Sequence, residues 1–181
     1  HLHPVGPALA MLLARSERTL YVNLDPNGHA ENWFPVESGD GLSGLAYQIG
    51  KCREGRSTRT GAPTWLPACL AKDAESGVYT LRSADMPEDT AAIDAPELLI
   101  VCEAASADGF TSLVIDAGSG LGKRNLALLG HCDHAILASG SDHPGAVALQ
   151  RADRLLRDGG SERISDECPI TWAIQGTSIP G

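Results

Sequence analysis

No apolar run in the sequence approaches the roughly 18 residues that a helix needs to cross a bilayer, so no transmembrane segment is expected. The apolar stretch near the start, PALAMLLA, has no basic leader and no cleavage site, and reads as a helix rather than a signal peptide. No C-x-x-C pair occurs. The five cysteines, Cys52, Cys69, Cys102, Cys132 and Cys168, are odd in number and widely spaced. That argues against a disulfide framework and for reduced thiols in a cytoplasmic protein. Basic residues are scarce: 14 stand against 23 acidic ones, a net charge of −9. Duplex DNA is held by clustered Lys and Arg, so direct duplex binding is not expected. The one basic run, KCREGRSTR at 51–59, reads as a solvated loop. There is no internal repeat and no low-complexity tract. SGSDH lacks the G-x-S-x-G spacing of a nucleophile elbow.

What is present is an alternation of strand and helix signals over 181 residues, enough for a single domain spanning 1–181. Residues 7–17 suit a helix, and TLYVNLD at 19–25 a strand that ends in the turn signal Asp25-Pro26-Asn27-Gly28. GLSGLAYQIGKC at 41–52 suits a short helix, 53–77 reads as irregular, and GVYTLRSA at 77–84 as a strand. In 86–109 the second half is helical, with Pro96 in its first turn and Asp94 or Ala95 near its cap. FTSLVIDAG, DHAILASGS and CPITWAIQG follow as strands. GKRNLALLGHC and the amphipathic HPGAVALQRADRLLRDGG lie between them as helices. LVID and AILA are apolar on both faces, which places them in a mostly parallel sheet covered by helices on both sides, a three-layer αβα arrangement.

The chemistry centres on LVIDAGSGLGKRN, residues 113–125. As a dinucleotide fingerprint it has the wrong spacing: Gly118, Gly120 and Gly122 give G-x-G-x-G rather than G-x-G-x-x-G. As a phosphate loop it matches G-K at Gly122 and Lys123, but Ala117 stands at the first glycine and Arg124 at the magnesium-binding hydroxyl. A third reading makes Asp116 an acid at the C-terminal tip of a parallel strand, where it can hold magnesium through water or position an attacking water. Asp25 also closes a strand, so two strand-tip acids on one sheet can flank one site. The plainer alternative is that both acids cap turns. HCDH at 131–134 offers metal-ligand residue types, but neighbours on a strand point to opposite faces, and a junction with a buried Cys132 accounts for it. His1 and His3 mark a chain start. Trp33-Phe34 is either an exposed contact for a partner or lipid or a loop pair folded onto the core, and the second is the expectation.

TLYVNLDPNG, GLSGLAYQI and FTSLVIDAGSGLGKRNLALLGHCDHAILASGSD, with the helix after them, resemble the MinD/ParA class of deviant P-loop ATPases over residues 4–157. The branch most similar is the CpaE/TadZ-like one associated with Flp pilus assembly and polar localisation. The resemblance implies a P-loop NTPase-like fold that binds ATP and magnesium. It makes Asp25 the acid near the attacking water, Asp116 the Walker B acid that holds magnesium through water, and Gly120 the switch glycine. Gly6 would belong to the phosphate loop. Gln175 falls near the family's base-contacting position, and SIPG resembles the I-P element after it. The implied function is a nucleotide-dependent dimerisation and localisation switch: a homodimer with protein partners in a pilus or secretion machine, recruited to membrane or cell pole through them. The sequence departs from the family at one point. HPVG runs straight into PALAMLLA, without the G-x-G-K-[ST]-T-like segment expected at the junction of Gly6 and Pro7. Either the domain has lost its phosphate loop, or the sequence is a piece of a longer chain that also lacks a mobile loop at this point. With the loop the protein is a slow ATPase. Without it the protein is no enzyme but a degenerate scaffold for protein interaction.

Overall fold

Five consecutive residues, Thr19–Asn23, are all buried, so the strand they form, β1, is covered on both faces. In the computed structural model, which describes residues 5–25, 28–53, 65–140, 143–158 and 170–175, β1 is the centre of a four-stranded sheet. Its order is β2 (Leu70–Lys72), β3 (Tyr79–Leu81), β1, β4 (Ser112–Asp116). β1 runs parallel to β3 and to β4, and β2 runs antiparallel to β3. The β1–β4 register places Asn23 opposite Asp116.

Helix α1 (Val5–Leu13) packs on β1 and β4. Beneath it lies a core of Ala10, Tyr21, Ala30, Phe34, Val78 and Val114. Phe34 is fully buried and Trp33 packs against this cluster, so the loop aromatic pair folds inward as expected. Helix α2 (Gly41–Arg53) packs on β3. Its entry is set by a close approach: Gly41 has φ +64°, and a Cβ there would lie 2.8 Å from the Arg82 carbonyl oxygen. The Leu42 N–H donates to that same oxygen at 2.9 Å. Two short helices, α3 (Leu66–Cys69) and α4 (Pro87–Ala91), precede α5 (Ala95–Ala107). α5 starts at Asp94 in a capping box, with the Asp94 N–H donating to Glu97 Oε2 at 3.0 Å.

The opposite end of the sheet is fastened by Arg18. Its guanidinium lies 4.4 Å from the Phe110 ring centroid and 5.1 Å from that of Tyr79, and pairs with Asp108 at 3.0 Å. Its carbonyl accepts from the Thr111 N–H at 3.0 Å. These contacts fix where β1 and β4 begin, and hence which residues meet at their far tips.

Contacts gather into two compact units, in the main Pro4–Ser119, which holds the sheet above, and Gly120–Gly181. The second unit contains α6 (Lys123–Leu129), β5 (Ala135–Gly140), α7 (His143–Asp158) and β6 (Ile170–Gln175). β5 and β6 pair in parallel from Ala135 opposite Ile170 to Gly140 opposite Gln175, and α7 packs on β5 with Leu149 and Leu156 buried.

The expected order of strands and helices holds, with one correction. The stretch 53–77 is not wholly irregular: it contains α3 and the edge strand β2. Pro26, Asn27, Pro63, residues 54–59 of the basic run, His1, His3, Cys168 and SIPG lie outside the described residues. Among the described residues, Cys69, Cys102 and Cys132 form no disulfide, and no helix is long and apolar enough to cross a membrane.

Candidate functional site

Strand alternation puts Tyr21 and Asn23 on one face of β1, and Asp25 follows at its tip. Tyr21 is buried against Phe34, ring centroids 5.2 Å apart. Its hydroxyl donates to Asp116 Oδ2 at 3.3 Å. The Leu24 N–H donates to the Asp116 carbonyl at 2.8 Å, which carries the β1–β4 ladder one step beyond the strand. Asn23 Oδ1 accepts from the Asp25 N–H at 3.0 Å, and the Gly28 N–H closes the turn onto the Asp25 carbonyl at 3.0 Å. The Gly118 N–H donates to Asp116 Oδ1 at 3.2 Å. Both carboxylate oxygens of Asp116 therefore accept a hydrogen bond from the protein.

Three glycines let these groups converge. Gly118 has φ +71°, and a Cβ on it would lie 3.1 Å from Asp25 Cα. A Cβ on Gly28 would lie 2.9 Å from Asn23 Nδ2. A Cβ on Gly6, in the first turn of α1, would lie 3.3 Å from Asp116 Oδ2 and 3.3 Å from Tyr21 Cε2. Asp25, Asp116 and Gly6, singled out from the sequence, thus meet at the C-terminal tips of β1 and β4. Sequence reasoning missed Tyr21, Asn23 and Gly28; the spacing of two from Tyr21 through Asn23 to Asp25 is the signal that finds the first two. Gly120 and Gln175 belong to the second unit. Gly120 has φ +92° and its carbonyl accepts from Asn125 Nδ2 at 3.0 Å, and Gln175 ends β6 opposite Gly140. In the HCDH stretch, Cys132 Sγ donates to the Leu129 carbonyl and His134 Nε2 bonds to Thr171 Oγ1 at 2.7 Å, so these side chains turn to separate partners.

Charge at the site is negative. Burial, first, and then the charge and hydrogen bond of Asp116 and the charge of Asp25 push the Tyr21 hydroxyl far above the usual tyrosine range. It stays a neutral donor. The carboxylates of Asp25 and Asp116 are hard oxygen donors of the kind that hold magnesium through water. For the phosphates the described residues offer less. α1 runs without a break through Gly6 and Pro7, and Pro7 has no N–H, so only a few first-turn N–H groups are available. No G-K-[ST] segment stands at this junction. Oxygen donors suited to magnesium are present at the strand tips, whereas groups suited to phosphate are reduced to a helix start.

No protein-family model matches the sequence, and no curated protein matches it. Solved structures do. A ParA family ATPase from Chlorobium tepidum aligns over 93% of this chain and 66% of its own, at 12% identity and a TM-score of 0.69. An ATP complex of a substituted Cyanothece McdA aligns over 91% and 61%, at 15% identity and a TM-score of 0.62. The cell division protein MinD of Aquifex aeolicus aligns over 92% and 60%, at 16% identity and a TM-score of 0.53. The chain thus spans 60 to 66% of the length of these three proteins. A mostly parallel sheet with helices packed on it, in this strand and helix order, is the three-layer α/β fold of the ParA- and MinD-type ATPases.

Proposed function

We propose that this chain is a MinD/ParA-like nucleotide-binding domain that works as a dimerisation and localisation switch. The observation that carries the reading is the meeting of Asp25 and Asp116 at adjacent parallel strand tips, beside the first turn of α1. Ligands of open α/β sheets bind beyond such tips. Asp116 would hold magnesium through water, with Asp25 beside it, and the ion would supply positive charge against a phosphate. The chain's own part is to hold Asp116 by Tyr21 and Gly118, and Asp25 by Asn23, so that both acids face one place. Slow hydrolysis, if ATP is cleaved, then ends the dimeric state. The similarity of TLYVNLDPNG and the 110–142 segment to the CpaE/TadZ-like branch favours partners in a pilus or secretion machine, which recruit the protein to the membrane or pole.

A second reading has its own support. α1 is continuous across Gly6 and Pro7, and both oxygens of Asp116 are already engaged within the protein. A scaffold that keeps the fold and binds no nucleotide has no use for a free acid there.

Thermal unfolding with ATP and magnesium separates the two. A ligand bound only by the folded state stabilises it by about 2.7 kcal/mol at a hundredfold excess over Kd. The switch reading expects a melting point that rises with ATP and magnesium, and a smaller rise in Asp116→Asn. No rise at millimolar ATP would retire the switch and leave the scaffold.

A further inference from the structure

The turn that follows Asp25 is tied to a third strand tip. Glu31 sits in a 3-10 turn, Ala30–Asn32, and its carboxylate takes two hydrogen bonds from one residue. The Ser83 N–H donates to Oε1 at 2.7 Å and the Ser83 hydroxyl donates to Oε2 at 2.6 Å. The Ser83 oxygen in turn accepts from the Ala30 N–H at 3.1 Å. Ser83 lies two residues beyond β3, the neighbour of β1 on the side away from β4. The residue before it, Arg82, is fixed by the Leu42 N–H at the start of α2. The anchor is therefore rigid on its own side. On the other side, Ala30 and Phe34 are fully buried. Few residues separate this clasp from Asp25, and among them Gly28 is bonded to the Asp25 carbonyl and pressed against Asn23.

We propose that Glu31 and Ser83 are positioning residues that hold the Asp25 turn beside Asp116. The inference rests on the reading in which these two acids form the working pair. Charge-assisted bonds to a carboxylate are stronger and more directional than neutral ones, and here they span 52 residues of sequence to join the loop of one strand to the tip of the next. Without them the turn keeps the Asn23–Asp25 bond and its apolar contacts but loses its charge-assisted link to the β3 tip. The tips of β3, β1 and β4 then act as one unit: Ser83 holds the turn, Asp25 presents its carboxylate, and Asp116 faces it across Gly118.

The test is amide hydrogen exchange together with Mn2+ binding, on the full chain with Glu31→Ala, Ser83→Ala and Ser83→Thr. Local release predicts that the Asp25 and Gly28 amides exchange at least ~10-fold faster in the two alanine variants, while the Leu24 amide, bonded to the Asp116 carbonyl, does not change. Ser83→Thr keeps hydroxyl and N–H and should behave as wild type. Mn2+ affinity should fall roughly tenfold in the alanine variants, the usual scale for loss of a partner behind a ligand. Exchange that accelerates equally at all three amides, or at none, overturns the proposal, because the clasp would then support only the whole fold or nothing. Asp25→Asn and Asp116→Asn keep the two ideas apart. If neither alters Mn2+ binding, the paired-acid reading falls, and hydrogen exchange alone still decides the clasp.

Discussion

Tyr21 spends a buried hydroxyl on one carboxylate, and that choice has measurable consequences. Its neutral form is favoured by burial first, then by Asp116 and Asp25. Asp116→Asn removes the Asp116 charge and weakens its hydrogen bond, so it should let Tyr21 ionise at lower pH. A difference titration by ultraviolet absorbance, wild type against Tyr21→Phe, isolates the group; an unchanged Tyr21 in Asp116→Asn would mean that the hydrogen bond is not made. The sign for stability follows from the same shift. The folded-state value is raised, so the contribution is whole below the ordinary tyrosine value of 10.0 and is lost as pH climbs above it. Gly118 makes a second residue-scale claim. Its φ of +71° disfavours a side chain, and a Cβ 3.1 Å from Asp25 Cα would press on the Asp25 backbone. Gly118→Ala should cost about 1–3 kcal/mol in urea unfolding, and a loss below about 0.5 kcal/mol, the surface norm, would show that the turn relaxes freely. The sequence made Asp25 and Asp116 legible because each ends an apolar strand. It did not distinguish Gly118 from Gly120, because G-x-G says nothing of which glycine a neighbouring backbone approaches.

Among the elements, those with strong local signals were readable and those made by distant partners were not. α5 announces itself through Asp94, Pro96 and Glu97, a cap, a first-turn proline and a box partner within four residues. β2 does not: Leu70–Lys72 is three residues long and becomes a strand only by pairing antiparallel with β3. The Glu31–Ser83 clasp is hidden for the same reason, since neither AENW nor RSAD carries a periodic pattern. Its pH dependence is nonetheless predictable. Burial alone would raise the Glu31 carboxyl, but the hydrogen bonds of Ser83, the backbone N–H groups and the charge of His29 outweigh burial and lower it below the ordinary 4.5. A lowered folded-state value means that the stabilisation is whole above the unfolded value and is lost as pH falls through the folded one. The 28–34 segment should therefore loosen in acid, below about pH 4.5, and Glu31→Gln should loosen it at neutral pH. Trp33 fluorescence across an acid titration, with Trp65 and Trp172 replaced by Phe, checks it. A wild-type signal that tracks only global unfolding would remove the claim.

At the scale of the molecule, burial among the described residues is unequal. Among the described residues, the large side chains that are fully buried, Tyr21, Phe34 and a run of leucines among them, fall between residues 20 and 98, within the first unit. Among the described residues of the second unit the buried apolar side chains are Ala135, Leu149 and Leu156, and its sheet has two strands. A two-stranded sheet with a thin core is marginal, whereas a four-stranded sheet whose central strand is buried on both faces is not. The sequence concealed this difference, because AILA and LVID look equally apolar. Each buries one apolar residue, Val114 and Ala135, and what differs among the described residues is the number of strands paired beside them, a non-local property. Opening energies in a folded protein follow local burial. Native-state hydrogen exchange should therefore find the β1 amides opening only with global unfolding, and the β5 amides at a free energy about 2 kcal/mol or more below it. In the switch reading, a homodimer formed with ATP and magnesium should raise the β5 protection more than that of β1, since the weaker unit has the more to gain. Equal protection of the two sheets in the free protein would mean that the chain unfolds as a single cooperative body, and that the thin core of β5 and β6 is reinforced from elsewhere.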